Sequence, residues 1–235
     1  MTVPLYYEDA YSTACEARVV ARGDDGIILD RSVFYPGGGG QPSDRGIIRW
    51  GETEARVTDI RRGPAGAVHV LDVPGPAVGE SVECAIDWAR RHALMRAHTA
   101  LHILCGVIWR DFKASVTGAQ MEVGAARMDF ELERMDAEFS RDIEARALAE
   151  IEASRVVTSR DLPRDEAFEI PDLIRTRINL LPPGIIRVRV VEIVGLDLQA
   201  DGGTHVANTR HVGAFRVVGH ESKGRLNKRL RIALD

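Results

Sequence analysis

Residues 87–113 carry the sequence DWARRHALMRAHTALHILCGVIWRDFK, and this stretch decides how the chain divides. Its apolar side chains recur at intervals of three and four residues, the spacing of one face of an α-helix: Leu94, Ala97, Leu101, Leu104 and Ile108. Asp87 directly precedes the pattern and is a favourable N-cap residue, because its carboxylate can accept hydrogen bonds from the first free amides. We therefore predict an amphipathic helix over 88–113 that opens a second domain.

The residues before Asp87 show a different pattern, in which short β-rich runs are separated by Gly, Pro and Asp. The runs are 27–29, 32–35, 46–50 and 67–71. In a fifth run, Val82, Cys84 and Ile86 alternate with other residues at the period of a half-buried strand. Several short strands at such spacing predict a small β-barrel domain over 1–87.

The residues after the long helix mix helical and strand patterns. A second helix is predicted over 136–154, because apolar residues lie four apart at Phe139, Ile143, Ala147 and Ile151. Further predictions are a turn at Pro182-Pro183-Gly184 and strands at 186–193, 212–218 and 229–234. The predicted fold class is therefore α+β: an N-terminal small β-barrel, then a domain over 88–235 with helices packed on an antiparallel sheet.

The composition excludes several classes of protein. The chain has 235 residues, 45% of them hydrophobic, and 31 basic against 35 acidic residues give a net charge of −4. The hydrophobic fraction excludes a disordered chain, and three cysteines without close spacing exclude a disulfide scaffold. No apolar run approaches the ~20 residues of a membrane span, so we expect a cytoplasmic protein with no membrane partner. The slightly acidic balance disfavours a non-specific nucleic-acid-coating protein, and we expect no DNA partner.

Two separated segments carry residue types that ligate metals. His98 and His102 are four residues apart on the predicted helix, so both imidazoles lie on one face and can reach a common ion. Asp201 and His205 lie in 199–206, QADGGTHV, and could complete a tetrahedral site. Each segment alone also fits an ordinary structural role, as helix-face histidines and as a hairpin with a polar turn.

A glycine-rich loop and a basic C-terminal segment are further candidates. Residues 37–40 are consecutive glycines whose backbone can approach a ligand closely, although a linker is the alternative. Residues 223–231 hold five basic residues and no acid. They fit either an edge strand protected by charge or a set of phosphate contacts: Lys223, Arg225, Lys228, Arg229 and Arg231.

In combination, these segments resemble the alanyl-tRNA editing family, which comprises the editing domain of alanyl-tRNA synthetase and the free-standing AlaX proteins. That family carries His-x3-His on a helix and, further along, Cys-x3-His within Gly-Gly-Thr-His-Val. Here the first pair is His98 with His102, and the second is Asp201 with His205. The family's preceding Phe-Tyr, Gly-Gly-Gln and Asp are matched by Phe34-Tyr35, Gly39-Gly40-Gln41 and Asp44. The resemblance covers nearly the whole chain and fits the medium-length AlaX type.

The resemblance implies a translation-protein-like barrel over 1–87 and a metal-bearing editing domain of the alanyl/threonyl-tRNA synthetase type over 88–235, with one Zn²⁺ per chain. Asp201 replaces the family's cysteine; because zinc accepts carboxylate oxygen, a set of three histidines and Asp201 is chemically sound, though harder than one with cysteine. Alternatively Asp201 does not ligate, which leaves three histidines and an open position. Cys105, one turn beyond His102, is not expected to replace it.

The implied activity is trans-editing: hydrolysis of the ester bond of mischarged alanine tRNA, Ser-tRNA first and Gly-tRNA as a further candidate. A pocket sized for alanine cannot strongly exclude glycine or serine, which creates the need for such an enzyme. We expect Gln41 and Thr99 near the serine hydroxyl or the attacking water, and Thr204 in the same catalytic group. We also expect a flap formed by Gly38, Gly39 and Gly40, and acceptor-stem contacts from the five basic C-terminal residues.

Zinc could either lower the pKa of a water molecule or position the substrate, and four protein ligands favour the second role. Two other interpretations stay open. One is a metal hydrolase of another ester or amide without tRNA, and the other is a non-catalytic tRNA-binding protein whose metal is structural. The sequence leaves the oligomeric state undetermined.

Overall fold

The computed structural model describes residues 2–63, 65–178, 181 and 184–235. Residues 182–183 of the predicted Pro182-Pro183-Gly184 turn lie outside this part of the chain. The protein divides into two compact units, Met1–Ala93 and Leu94–Asp235. This boundary falls inside a long helix, whereas the sequence pattern places the change at its beginning.

The first unit consists mostly of strands. In chain order its elements are β1 (Val3–Pro4), α1 (Leu5–Glu8), β2 (Ala14–Gly23), β3 (Gly26–Leu29), β4 (Arg31–Ser32), β5 (Gly46–Trp50), β6 (Thr53–Gly63), β7 (Gly66–Leu71) and β8 (Ser81–Ile86). Within the described residues, six of these strands close an antiparallel barrel in the order β2-β3-β7-β6-β5-β8. The predicted barrel is therefore confirmed. Alternate side chains fill its interior, among them Val19, Ile27, Leu29, Ile48 and Val57.

Two details of the barrel differ from the sequence prediction. The strand predicted over 32–35 ends at Ser32, because the amide of Tyr35 donates to the Asp44 side chain instead of to a neighbouring strand (2.6 Å). The longest strands, β2 and β6, were not predicted, because their outward faces are charged and their inward residues include small alanines, Ala17 and Ala55.

The second unit combines helices and antiparallel sheets. Its elements are α2 (Trp88–Phe112), which begins in the first unit, β9 (Val116–Glu122), β10 (Ala125–Phe130), α3 (Ala137–Glu152), β11 (Val157–Pro163), α4 (Arg164–Glu169), β12 (Arg187–Ile193), β13 (Asp197–Ala200), a 3-10 helix (Thr209–Val212), β14 (Arg216–Gly224) and β15 (Asn227–Ala233). One sheet has the order β14-β15-β10-β9 and another β11-β12-β13. The predicted α+β class is confirmed.

Helix boundaries agree closely with the sequence pattern. The Asp87 carboxylate accepts a hydrogen bond from the amide of Arg90 (3.0 Å), and Asp136 caps α3 by accepting from Phe139 (2.9 Å). The strand predicted over 212–218 begins only at Arg216, because Val212 ends the 3-10 helix and Gly213 adopts a positive φ of 72°. No helix in the described parts of the chain is long and apolar enough to cross a membrane.

Gly106 allows a close approach between α2 and the residues at the start of β13. A methyl group at position 106 would lie 2.8 Å from Cγ of Leu196 and 3.1 Å from Cβ of Asp197. Contacts this short force one of the partners to move. The absence of a side chain therefore sets how closely Asp197 approaches the helix.

Candidate metal centre

The two candidate ligand segments meet in the second unit. His98, His102, Asp201 and His205 each offer one ligand atom, and these atoms all lie within 4.8 Å of one another. The His98 and His205 rings stack with centroids 4.3 Å apart, and the His102 ring stands edge-on to both. Helix α2 supplies the first pair of side chains, and the segment after β13 supplies the second. Thus residues about a hundred positions apart converge because β13 and its following turn lie beside α2.

The turn after β13 is held by its own hydrogen bonds. Oδ2 of Asp201 accepts from the amide of Gly203 (2.7 Å) and lies 3.0 Å from Nε2 of His205. The guanidinium of Arg189 on β12 donates to the carbonyl of Gly203 (3.0 Å), and the backbone carbonyl of Arg189 accepts a hydrogen bond from the amide of Asp201. These contacts fix the Asp201 carboxylate with both oxygens towards histidines.

The residues present fit a tetrahedral metal ion. Zinc bonds of about 2.1 Å imply ligand atoms about 3.4 Å apart. Nε2 of His98 lies 3.4 Å from Oδ1 of Asp201, and Nε2 of His205 lies 3.0 Å from Oδ2. Three imidazoles and one carboxylate are also an accepted zinc donor set.

The outward nitrogens of two histidines have protein partners. Nδ1 of His102 lies 3.0 Å from Oδ2 of Asp197, and Nδ1 of His205 lies 3.2 Å from the hydroxyl of Thr99. The Thr99 hydroxyl also accepts from the amide of Val206 (3.2 Å). Both histidines therefore point Nε2 towards the group, and Thr99 contacts a candidate ligand from behind.

Burial and mutual charge shift the pKa values of these groups. Burial by itself raises the pKa of Asp201, but the charge of His98 and hydrogen bonds from His205 and His98 outweigh it, so the pKa lies well below its ordinary value. Burial and the charge of His98 lower the pKa of His205 well below the usual range. Burial also lowers the pKa of His102, but the hydrogen bond that its ring donates to Asp197, with the charge of that carboxylate, outweighs this and the net direction is upward. The site thus favours a carboxylate with at least one neutral imidazole, the protonation states that bind metal.

The glycine-rich loop lies in the first unit and is firmly held. Each of the four glycines has a positive φ, from 60° at Gly39 to 131° at Gly38. Gly38 and Gln41 exchange two backbone hydrogen bonds (2.9 and 3.0 Å), and the Tyr35 hydroxyl donates to the carbonyl of Gly38 (3.1 Å). Arg62 donates to the carbonyl of Gly37 (2.6 Å). The loop is therefore a defined turn whose conformation requires glycine.

Behind this loop lies a buried ion pair. Arg91 at the beginning of α2 donates from Nε to both oxygens of Asp44 (3.0 Å each), from Nη2 to Asp44 again, and to the carbonyls of Ala10 and Val33. Both side chains are fully buried. Asp44 thereby connects the loop to Arg91, and its Oδ2 also accepts a hydrogen bond from the amide of Tyr35 (2.6 Å).

The remaining predicted site residues are distributed over both units. Gln41 is buried in the first unit at 2% exposure, and Thr204 is fully buried in the second. Four of the five basic C-terminal side chains are engaged on the protein itself. Lys223 and Arg231 pair with Glu221, Arg229 pairs with Asp129, and the buried Lys228 ammonium donates to the carbonyls of Gly224 and Arg225. Arg225 lies exposed in the turn between β14 and β15.

Sequence reasoning missed Asp197, Arg175 and Arg91. Asp197 contacts His102 from 95 residues away, and Arg175 lies 3.8 Å from Asp197. Their types are ordinary for surface positions, so no local pattern singles them out. The available signal for Arg91 was its position on the helix, three residues before Leu94, which places a charge on the buried side.

Comparison with known proteins gives matches along almost the whole chain. The profile of the family described as tRNA synthetases class II (A) matches residues 9–90, and that of the Threonyl and Alanyl tRNA synthetase second additional domain matches residues 188–231. The alanyl-tRNA editing protein AlaX-M of Saccharolobus solfataricus is 38% identical over 98% of this chain and 98% of its own length. The chain belongs to the AlaX-M family of alanyl-tRNA editing proteins.

Two further relatives define the extent of the family resemblance. The AlaX-M protein of Methanosarcina barkeri is 36% identical, covering 100% of this chain and 99% of that protein. The alanine–tRNA ligase of Pyrobaculum neutrophilum is 35% identical over 92% of this chain but only 25% of its own length. This AlaX-M family member therefore corresponds to a free-standing protein in the first case and to one part of a longer enzyme in the second.

Proposed function

We propose that this protein is a trans-editing deacylase that hydrolyses the ester bond of mischarged alanine tRNA, with Ser-tRNA as the principal substrate and Gly-tRNA as a second. The observation that carries this proposal is the group of three buried histidines and the partly buried Asp201 in a chain of the AlaX-M family. Membership of the AlaX-M family supports an alanyl-tRNA editing activity, and the four clustered side chains offer a place for the metal. In this proposal residues 1–87 form the barrel domain and 88–235 the editing domain.

One Zn²⁺ per chain is the proposed cofactor, held by Nε2 of His98, His102 and His205 and by a carboxylate oxygen of Asp201. When bound, zinc would supply a positive charge that holds the terminal ribose or the amino group of the aminoacyl ester. Because four protein ligands fill a tetrahedral shell, positioning is favoured over activation of water.

The chain's own residues have separate proposed roles. Thr99 holds His205 through Nδ1, since its hydroxyl lies 3.2 Å from that nitrogen. Gln41 is proposed to bind the acyl group, and the turn of Gly38, Gly39 and Gly40 to exclude water from the ester. The hydrogen bonds within this turn support a preformed turn rather than a loop that orders on binding. Thr204, which is buried and directly precedes His205 in the sequence, is proposed to belong to the same catalytic group as Gln41 and Thr99.

The tRNA contacts are proposed on the hairpin of β14 and β15. Arg225 is the strongest of the five candidates, because it is exposed at the turn, whereas Lys223, Arg229 and Arg231 are paired with carboxylates. Lys228 would act by shaping the turn, since its ammonium is bonded to two carbonyls within it. Arg225→Ala should weaken tRNA binding and reduce the salt slope by about one unit.

The deciding experiment is hydrolysis of alanine tRNA charged with Ser, Gly or Ala by zinc-loaded wild-type protein, Gln41→Ala and His98→Ala. We expect rapid release of serine, slower release of glycine and little release of alanine. His98→Ala should lose zinc and activity together, whereas Gln41→Ala should lose activity and keep both zinc and fold. Equal hydrolysis of all three esters, or none of them, would contradict the proposal.

A non-catalytic tRNA-binding protein with structural zinc is the second candidate. The observation that favours it is the closed set of four ligand groups, three of them buried histidines and the fourth the partly buried Asp201, which is typical of structural zinc sites. It predicts one zinc per chain and tRNA binding without turnover. The same assay therefore separates the two, because only the first candidate predicts serine release.

A further inference from the structure

Asp197 lies directly behind one of the candidate ligands and is fully buried at its side chain. Its Oδ2 lies 3.0 Å from Nδ1 of His102 and accepts from the side-chain amide of Gln199 (2.7 Å). Asp197 begins β13, and His102 lies in the middle of α2. The close approach at Gly106, one turn beyond His102, brings this carboxylate against the helix.

The chemistry of this contact determines which nitrogen of His102 can bind a metal. An ionised carboxylate only accepts hydrogen bonds, so Nδ1 of His102 must carry the proton that joins them. In the neutral ring the lone pair then lies on Nε2, which faces His98, Asp201 and His205. A carboxylate behind a ligating histidine fixes the tautomer and ring orientation and increases the basicity of the ligating nitrogen.

The buried carboxylate has a countercharge of its own. Oδ1 of Asp197 and Nη1 of Arg175 lie 3.8 Å apart, and within the described residues neither of these buried atoms has a hydrogen-bond partner. Arg175 is held in place, because its Nε donates to the carbonyl of Asp172 (2.6 Å) and its guanidinium lies 4.8 Å from the Trp109 ring centroid. Without Arg175 the burial of Asp197 would be strongly unfavourable.

The other histidine with an identified outward partner has a weaker one. Nδ1 of His205 faces the neutral hydroxyl of Thr99, whereas Nδ1 of His102 faces a full negative charge. Charge-assisted hydrogen bonds are roughly twice as strong as neutral ones. His102 should therefore be the more firmly oriented of these two ligands.

We infer that Asp197 is a positioning residue that holds His102 as an Nε2 ligand, with Arg175 as its countercharge. The inference rests on the metal site of the proposed function, but not on the identity of the substrate. Asp197 touches neither the metal position nor the ester; it acts through His102.

The test measures the affinity for Zn²⁺ by competition with a chromophoric chelator, in wild type and Asp197→Asn. This substitution keeps the size of the side chain and removes its charge, and we expect the Kd to rise ~10–100-fold. Asp111→Asn is the matched control, because Asp111 lies on the same helix and pairs with Arg110 and Arg146 instead of a histidine. Its Zn²⁺ affinity should stay at the wild-type value. An unchanged Kd in Asp197→Asn would overturn the inference.

A second measurement needs no substitution and so does not depend on the folding of a variant. In zinc-loaded, ¹⁵N-labelled wild type, long-range proton–nitrogen spectra should identify His102 as metal-bound at Nε2 and protonated at Nδ1. Ligation through Nδ1 would overturn the inference. The Co²⁺-substituted protein gives an independent signature, since Asp197→Asn should shift the visible ligand-field bands and Asp111→Asn should not.

These readouts separate the inference from the proposed function. Wild-type protein that releases serine, together with an unchanged Zn²⁺ affinity in Asp197→Asn, would reject the positioning role alone. Wild-type protein that releases no serine, together with a weakened Zn²⁺ affinity in Asp197→Asn, would reject the deacylase and retain the positioning role.

Discussion

Asp44 in the first unit is a fully buried carboxylate and Asp201 in the second is a largely buried one, and their partners differ in kind. Asp44 is matched by the guanidinium of Arg91, which stays charged at every accessible pH. Asp201 faces the imidazoles of His98 and His205, and burial together with the charge of His98 lowers the pKa of His205 well below its ordinary value. A permanent countercharge therefore commits Asp44 to the fold, whereas conditional countercharges leave Asp201 able to receive a metal ion instead.

The same distinction extends to the two units. The glycine turn is joined through Asp44 to Arg91, and Arg62 donates to the carbonyl of Gly37, so two guanidinium groups hold the turn in position. The histidine group becomes a good ligand set only when its imidazoles lose their protons. The first unit thus provides fixed geometry, and the second provides chemistry that responds to its surroundings.

Breaking the permanent pair should have the largest effect on stability. Asp44→Ala leaves the Arg91 guanidinium buried without its countercharge, so we expect a loss of about 3–5 kcal/mol in the free energy of unfolding. Denaturant titration measures it. The double variant Asp44→Ala/Arg91→Met removes both charges and should recover part of the loss. A single variant as stable as wild type would show that the pair does not fix the fold.

His69 extends the comparison to a buried titratable group whose Nε2 lies 2.8 Å from the neutral hydroxyl of Ser32. Burial lowers its pKa to about 4, against 6.5 in the unfolded chain. As the pH falls, His69 binds a proton in the unfolded chain before it does so in the folded protein. Its contribution to the free energy of unfolding is therefore fully present above pH 6.5 and is lost as the pH decreases towards 4, by roughly 3 kcal/mol. Denaturant titrations at pH 7 and pH 4.5 check this. His69→Gln should flatten the pH dependence; the same slope in both proteins would assign it elsewhere.

Replacing the conditional carboxylate should affect metal binding more than stability. Asp201→Ala leaves three histidines, and we expect the Zn²⁺ affinity to fall about 100-fold or more, since loss of a ligand exceeds the ~10–100-fold effect of a supporting residue. Asp201→Cys should keep the affinity, because thiolate is also a good zinc ligand. Chelator competition gives both values. A wild-type Kd in Asp201→Ala would mean that Asp201 is not a ligand.

The smallest expected effect concerns the surface, where Glu221 engages both Lys223 and Arg231. Lys223 and Arg231 cannot bind phosphates while they are paired with Glu221. Because Glu221→Gln removes that negative charge, this variant should bind tRNA a few-fold more tightly and with a steeper salt dependence. Filter binding at several salt concentrations measures both. Glu192→Gln, which releases Arg160 on β11, serves as the comparison variant. Weaker binding by Glu221→Gln would remove this hairpin from the proposed tRNA surface.

The sequence predicted the elements whose evidence is local. Helix α2 was expected over 88–113 and spans Trp88–Phe112, because its apolar spacing and the Asp87 cap lie within the segment itself. The four candidate ligands were chosen from two short segments, and the structure brings them together. Both predictions depend on residues only a few positions apart.

What the sequence did not reveal depends on distant partners. Residues 33–35 have strand-like side chains, but within the described residues their backbone does not pair with a strand. The amide of Tyr35 donates to Asp44 instead, and the carbonyl of Val33 accepts from Arg91. Nothing in the local sequence distinguishes Asp197 from other carboxylates, because its contact with Nδ1 of His102 forms only when β13 lies against α2. Within the basic C-terminal segment, Arg229 looked available because its partner Asp129 lies 100 residues earlier in the chain.

Gly106 has no side chain, and this sets a steric condition on the candidate metal centre that is independent of the charges of its aspartates, arginines and histidines. Any β-carbon there would press on Leu196 and Asp197, so the carboxylate behind His102 would retreat from the ring. A larger residue at position 106 should therefore weaken binding of the proposed zinc ion, although position 106 is not one of the four candidate ligands. A graft of this site onto another helix would therefore need a glycine one turn beyond the second histidine, besides the four ligands.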